Sequence, residues 1–295
     1  MMGLAARLLL ALVWLLHLLP LAVQAALGRG LGFVLHRFAP GRRRVALRNV
    51  ALCLPELTQA EREALVRRHF QWLARSLLER GLLWYASPQR LKQLIHVEGD
   101  VHLSERSERP VMWLVPHFLA VDVAGAATQL FQTRRVCNVY TEQSNAVLDI
   151  ALKRGRGRFG LADMFTRKQS ALPMVRAIKR GSAFFNPSDM DFGLRDAAFV
   201  PFFGHPAATL LAPSRLAQSL GMIVQPVVAE MLPGGQGYRV RFLPPWTDWP
   251  TPDAQADAAR MNLWIEQEIR RCPEQYLWVH KRFKTRPPGA PAIYD

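Results

Sequence analysis

The first apolar segment of the chain runs over residues 8–27 and is interrupted only by His17, Pro20 and Gln24. That length suits the hydrocarbon core of a bilayer, about 30 Å thick. Residues 57–86 form a second pattern. Leu65, Phe70, Trp72, Leu73, Leu77 and Leu78 recur among arginines, and Thr58 stands three residues before Glu61, the spacing of a capping box. A helix is expected there. After Pro88 the pattern becomes alternating. Strand-like runs fall at 111–115, 136–140, 183–186, 198–203, 222–230, 238–243 and 276–279. Helix-like runs fall at 119–131, 170–180, 209–220 and 253–271. Such alternation predicts an α/β fold with a mixed, largely parallel central sheet flanked by helices. The apolar start predicts an N-terminal membrane-anchoring helix. The expected division is an anchor with its basic flank over residues 1–45 and one large domain over 46–295, with an irregular Pro-rich tail after Thr285.

Charge sharpens this picture. Lys and Arg number 38 against 23 Asp and Glu, a formal net charge of +15. An anionic partner follows: nucleic acid, an anionic membrane or an acidic protein. Arg29, Arg37, Arg42, Arg43, Arg44 and Arg48 crowd behind the apolar segment, which keeps that flank cytoplasmic under the positive-inside rule. Val23-Gln24-Ala25 also reads as a signal-peptide cleavage site. The downstream arginines oppose export, so a retained segment is expected, spanning the membrane or embedded in it. Cys53, Cys137 and Cys272 are few, odd in number and widely spaced, which disfavours a disulfide framework or structural zinc.

Several motifs are absent or fail. Gly155-Arg156-Gly157-Arg158-Phe159-Gly160 spells G-x-G-x-x-G, but neither a convincing strand before it nor an acid about 20 residues after it supports a dinucleotide fold. A basic loop, solvated or phosphate-facing, is expected instead, and nucleic acid is disfavoured because no aromatics are interleaved. No G-x-S-x-G, Walker A or His-Glu-x-x-His is present.

The candidate chemistry begins at Val115-Pro116-His117, where an apolar run ends, with Asp122 five residues beyond His117. On one regular helix these side chains would point about 140° apart. With the chain broken at Pro116, Asp122 is expected to turn back and hold one imidazole nitrogen while the other faces substrate, as a general base requires. A second cluster, Asn186-Pro187-Ser188-Asp189-Met190-Asp191-Phe192-Gly193-Leu194-Arg195-Asp196, follows another apolar run, where α/β proteins build sites.

These segments, with Phe199-Val200-Pro201-Phe202-Phe203-Gly204, the 273–284 segment Pro-Glu-Gln-Tyr-Leu-Trp-Val-His-Lys-Arg-Phe-Lys, and the early Arg42-Arg43-Arg44, Asn49 and Cys53-Leu54-Pro55-Glu56, resemble the ordered motifs of the lipid A biosynthesis lauroyl/myristoyl acyltransferases. That family lies within the glycerolipid acyltransferase superfamily. The resemblance covers nearly the whole chain and implies a glycerolipid acyltransferase-like fold. It implies transfer of a fatty acyl chain from acyl carrier protein to a hydroxyl of a Kdo-bearing, anionic glycolipid precursor of lipid A. The setting would be the cytoplasmic face of the inner membrane, with no metal or other cofactor. An enzyme of the same superfamily acting on another lipid is the alternative. The resemblance makes His117 and Asp122 the catalytic pair and gives substrate-binding roles to Arg158, Arg167, Asp189, Asp191, Gly193 and Arg195. Ser188, inserted after Pro187, leaves open which role Asp189 and Asp191 each take.

Overall fold

The computed structural model describes residues 2–294. The apolar start folds as two helices, α1 (Met2–Leu16) and α2 (Leu21–Phe38). The break between them corrects the expected anchor: no described helix is long and apolar enough to cross a membrane. Pro20 has no N–H to continue a helix. The carbonyls freed at the bend are taken by side chains: Arg90 donates to His17 O and Leu19 O at 2.6 and 2.7 Å, and Gln24 donates to Leu19 O.

Next come α3 (Pro40–Cys53), α4 (Gln59–Leu78), α5 (Arg80–Tyr85) and α6 (Pro88–Leu94). The expected boundary at residues 45 and 46 falls within α3. The capping box at Thr58 and Glu61 forms as expected, but the single 57–86 helix is divided at Glu79 into α4 and α5. Helix α2 lies close against α4 because Gly28 and Gly32, one turn apart, present no side chain to it. A Cβ at Gly32 would sit 2.3 Å from Gln71 Cα. The N-terminal helices are therefore built onto the domain. Leu4, Leu8, Leu9, Leu12 and Leu15 of α1, and Phe33 and Phe38 of α2, remain exposed.

The remaining elements are β1 (Ile95–Gly99), α7 (Leu103–Arg106), β2 (Val111–Leu114), α8 (Val121–Leu130), β3 (Val136–Tyr140), α9 (Ala146–Gly157), β4 (Ala162–Thr166), α10 (Leu172–Lys179), β5 (Ala183–Asn186), β6 (Ala197–Phe202), β7 (His205–Leu210), α11 (Ala212–Ser219), β8 (Ile223–Met231), β9 (Tyr238–Phe242) and α12 (Ala254–Arg271). Seven strands make one sheet in the order β1-β9-β8-β2-β5-β3-β4. Strands β8, β2, β5, β3 and β4 run parallel; β9 is antiparallel to β8, and β1 parallel to β9. The sheet is mixed and largely parallel, as the alternation predicted. Both of its faces are covered, so β2 is buried at all four positions and reads as a continuous apolar run. Strands β6 and β7 form a separate hairpin.

Three expectations differ in detail. Residues 209–211 belong to the end of β7 and a turn, so the helix starts only at α11. Residues 276–279 follow a short 3-10 turn and make one bridge, Tyr276 with Phe118, rather than a strand. The Arg-Gly run is the last turn of α9 and not a flexible loop, although Gly160 just beyond takes a positive φ of 79°.

Candidate active site

The register of the sheet builds the site. Strands β2 and β5 are parallel neighbours in which Leu114 pairs with Asn186. The two chains leave the sheet together, joined once more by Val115 N–H donating to Asn186 O. Three residues past each paired end stand His117 and Asp189. Asp189 is buried, and its carboxylate takes the main-chain N–H of His117 at 2.9 and 3.1 Å and contacts the ring Nδ1 at 2.5 Å. Burial would raise the Asp189 pKa, but the His117 charge, its hydrogen bonds and Arg282 outweigh burial and hold the carboxyl below its ordinary value. Nε2 of His117 makes no hydrogen bond among the described residues. His117 borders a small cleft that Cys53, Phe202, Tyr276, Trp278 and Arg282 also line.

The expected partner stands elsewhere. Asp122 does lie in the first turn of α8, after the sharp turn that the sequence predicted. Its carboxylate, however, receives Arg156 Nε and Nη2 at 2.9 and 2.6 Å, and Arg80 Nη2 at 3.2 Å. Burial works to raise its pKa, and the two arginines, with a weaker contribution from His117, bring it below the ordinary value. The acid that holds the imidazole is thus Asp189. A partner brought in by strand pairing was favoured over one a helical turn away, because α8 carries Asp122 toward α5 and α9.

The other expected residues divide. Asp191 is buried and fully engaged: it accepts from Gly193 N–H, Thr285 N–H and Thr285 Oγ1–H, while its own N–H donates to His280 Nε2. Gly193, with φ of 87°, allows that turn. Both residues tie the loop to the C-terminal segment. Arg167 lies over the Phe192 ring, 3.4 Å from its centroid, at the rim of the same loop. Arg195 is exposed, and Arg158 is half-buried and donates to Ala86 O.

The C-terminal segment closes the site from above. Leu277 N–H donates to His117 O, and Leu119 N–H to Gln275 O. Burial, first, and the nearby Asp189 charge push the Tyr276 hydroxyl well above its usual pKa, so it stays protonated beside that carboxylate. Burial also lowers His280 to about 4, leaving it the neutral acceptor that Asp191 N–H requires. Asn49 of α3 donates to Trp278 O and His280 O, both at 2.7 Å. Buried Arg282 donates to Ala208 O and Thr209 Oγ1. Sequence reasoning gave no site role to Tyr276, His280, Arg282 or Asn49, and read Arg80 and Arg156 only as part of a basic helix face and a basic run, not as partners of Asp122. The first four lie in segments that carried the resemblance, and that was the available signal. Among the described residues no three His, Cys, Asp or Glu side chains are grouped to hold a metal ion.

An imidazole fixed at Nδ1 by a buried carboxylate and open at Nε2 beside a cleft can take a proton from a hydroxyl. Residues 3–285 match the model of the bacterial lipid A biosynthesis acyltransferases. The chain belongs to that family. It is similar to the lipid A biosynthesis lauroyltransferase of Escherichia coli K12, at 34% identity over 97% of this chain and 93% of the relative. It is similar also to the palmitoleoyltransferase of that strain, at 32% over 97% and 92%. The strain's lipid A biosynthesis myristoyltransferase is 31% identical over 90% of this chain and 81% of its own length. A family so related supports acyl transfer in lipid A synthesis, while the three relatives differ in the chain they are named for.

Proposed function

We propose that the protein transfers an acyl group from acyl carrier protein to a hydroxyl of a Kdo-bearing lipid A precursor, with His117 as general base and Asp189 as the acid that orients it. The observation that carries this reading is the His117–Asp189 pair at the carboxyl ends of β2 and β5, which leaves Nε2 unbonded among the described residues. The acceptor hydroxyl gives its proton to Nε2 as its oxygen attacks the thioester carbonyl. The C–S bond then breaks, and the departing sulfur receives the proton. Base assistance of this kind is worth roughly 10²–10⁴-fold. Arg158, Arg167 and Arg195 are assigned to the anionic glycolipid, and the support is the place of Arg167 at the rim of the loop that carries Asp189.

The setting is the cytoplasmic face of the inner membrane. In place of a spanning anchor, the exposed leucines of α1 and the aromatics of α2 lie on the lipid surface, and Arg42, Arg44 and Arg48 of α3, all exposed, face its anionic headgroups. The test is mass spectrometry of lipid A from cells with and without the gene, joined to transfer assays on purified protein. Loss of one ester-linked acyl chain without the gene, restored by wild type and not by His117→Ala, is the expected result. Unchanged lipid A together with an altered phospholipid would overturn the acceptor assignment.

A further inference from the structure

We propose that Arg80 and Arg156, held side by side by Asp122, seat a phosphate group carried by one of the substrates. This inference rests on the acyl-transfer reading above. Three elements that are separate in sequence meet here: α5 brings Arg80, the first turn of α8 brings Asp122, and the last turn of α9 brings Arg156. Two guanidinium groups face one carboxylate, so the cluster carries a net charge of +1 close to His117.

The donors are only partly used. Arg156 spends Nε and Nη2 on Asp122, and Arg80 spends Nη2. Nη1 of neither makes a hydrogen bond among the described residues, and Nε of Arg80 is buried without a partner. The side chains of both arginines stay about a third exposed, at 34% and 31%. One carboxylate offsets only one of the two guanidinium charges, so the arginines still repel each other in part. An anion with several oxygens removes that repulsion and fills the vacant donors in the planar geometry guanidinium groups favour. The surroundings fit a headgroup. Helix α1 packs so closely on α5 that a Cβ at Gly81 would come within 2.2 Å of Val13 O, and the exposed leucines of α1 continue from there. The arginine pair thus lies between a lipid-facing helix and the general base, where the phosphate of an interfacial lipid would stand. The acceptor's phosphate and the phosphodiester of the carrier's pantetheine arm offer the same chemistry.

The experiment compares wild type with Arg80→Gln, Arg156→Gln and Arg80→Lys in two arms. One arm uses acceptor with and without its phosphates. The other uses acyl carrier protein against an acyl-pantetheine lacking phosphate. Wild type should prefer the phosphorylated form in one arm, and the preference, as a ratio of kcat/KM values, should fall about 10- to 100-fold in both Gln variants, through KM, with partial recovery in Arg80→Lys. The arm that collapses identifies the substrate. Inorganic phosphate should inhibit wild type competitively with that substrate and inhibit Arg80→Gln at least 10-fold more weakly, a readout that stands on Arg80→Gln alone if Arg156→Gln does not fold. Folded variants that keep the wild-type preference in both arms, or lose phosphorylated and unphosphorylated substrates equally, overturn the proposal. Wild-type protein that transfers no acyl group to either acceptor instead removes the reading on which it rests.

Discussion

Two carboxylates flank the same histidine, and their surroundings differ. Asp189 sits in a buried loop after β5, with a neutral tyrosine hydroxyl and the imidazole as its neighbours. Asp122 sits on a helix end between two arginines. An acid facing a histidine orients the ring and favours the imidazolium. An acid saturated by guanidinium groups has little left to offer the ring and instead fixes where the arginines stand. Nearness in sequence gave the imidazole to Asp122; the fold gives it to Asp189 and leaves Asp122 with the arginines.

The comparison can be broken first at the base. His117→Ala should lower kcat by 10³-fold or more with an unchanged melting temperature, since it removes the proton acceptor from a side chain at the edge of the cleft. Single-turnover acyl transfer checks this, and near-normal turnover would end the mechanism. Asp189→Asn comes next. It should cost about 10³-fold in kcat with little change in KM, because an amide can favour the wrong tautomer, and a thermal melt separates this from misfolding. Asp122→Asn should cost about 10-fold to 100-fold, mainly in KM, because the arginines lose their anchor while the imidazole keeps its own. If Asp122→Asn proves the more damaging to kcat, the division of roles is reversed.

The smallest effect is on stability. His280 titrates near 4 in the folded protein against 6.5 for the free side chain, because burial disfavours its charge. Between those values the unfolded chain binds more protons. The stability gained from keeping this ring neutral is complete above pH 6.5 and declines as the pH falls toward 4, by on the order of 2 kcal/mol. Urea unfolding at pH 7 and pH 4.5 should show this slope, and His280→Gln should flatten it. Asp189, with its pKa depressed, adds a loss only below the ordinary carboxylate range, so the two contributions separate on the pH axis.

Much of the sheet was legible because β2, β3 and β5 are short apolar runs set between helical patterns, and a covered parallel strand has no polar side to hide it. The edge strands β1 and β4 were missed for the opposite reason: their residues are half-exposed and mixed, as in Ala162–Thr166. The start of α11 was misread because Thr209 and Leu210, which end β7, suit either state. The N-terminal run was apolar enough to suggest a span, but hydropathy counts residues and overlooks that Pro20 ends one helix and Arg90, seventy positions on, holds the bend. The site was half legible. His117 followed from its place after an apolar run, and Asp189 was marked as a site residue. That they face each other depends on the register of β2 with β5, which no local spacing contains.

The grip of Asp189 on both the ring and the main-chain N–H of His117 also governs the bookkeeping of protons. With Nδ1 committed and the backbone fixed by the same carboxylate, the imidazole cannot turn over to exchange its proton by the other nitrogen. In the proposed transfer Nε2 then serves both halves of the reaction, taking the hydroxyl proton and returning one to sulfur. A proton inventory of single-turnover transfer in mixtures of light and heavy water should then be linear, as one proton in flight requires, and a bowed inventory would count against it.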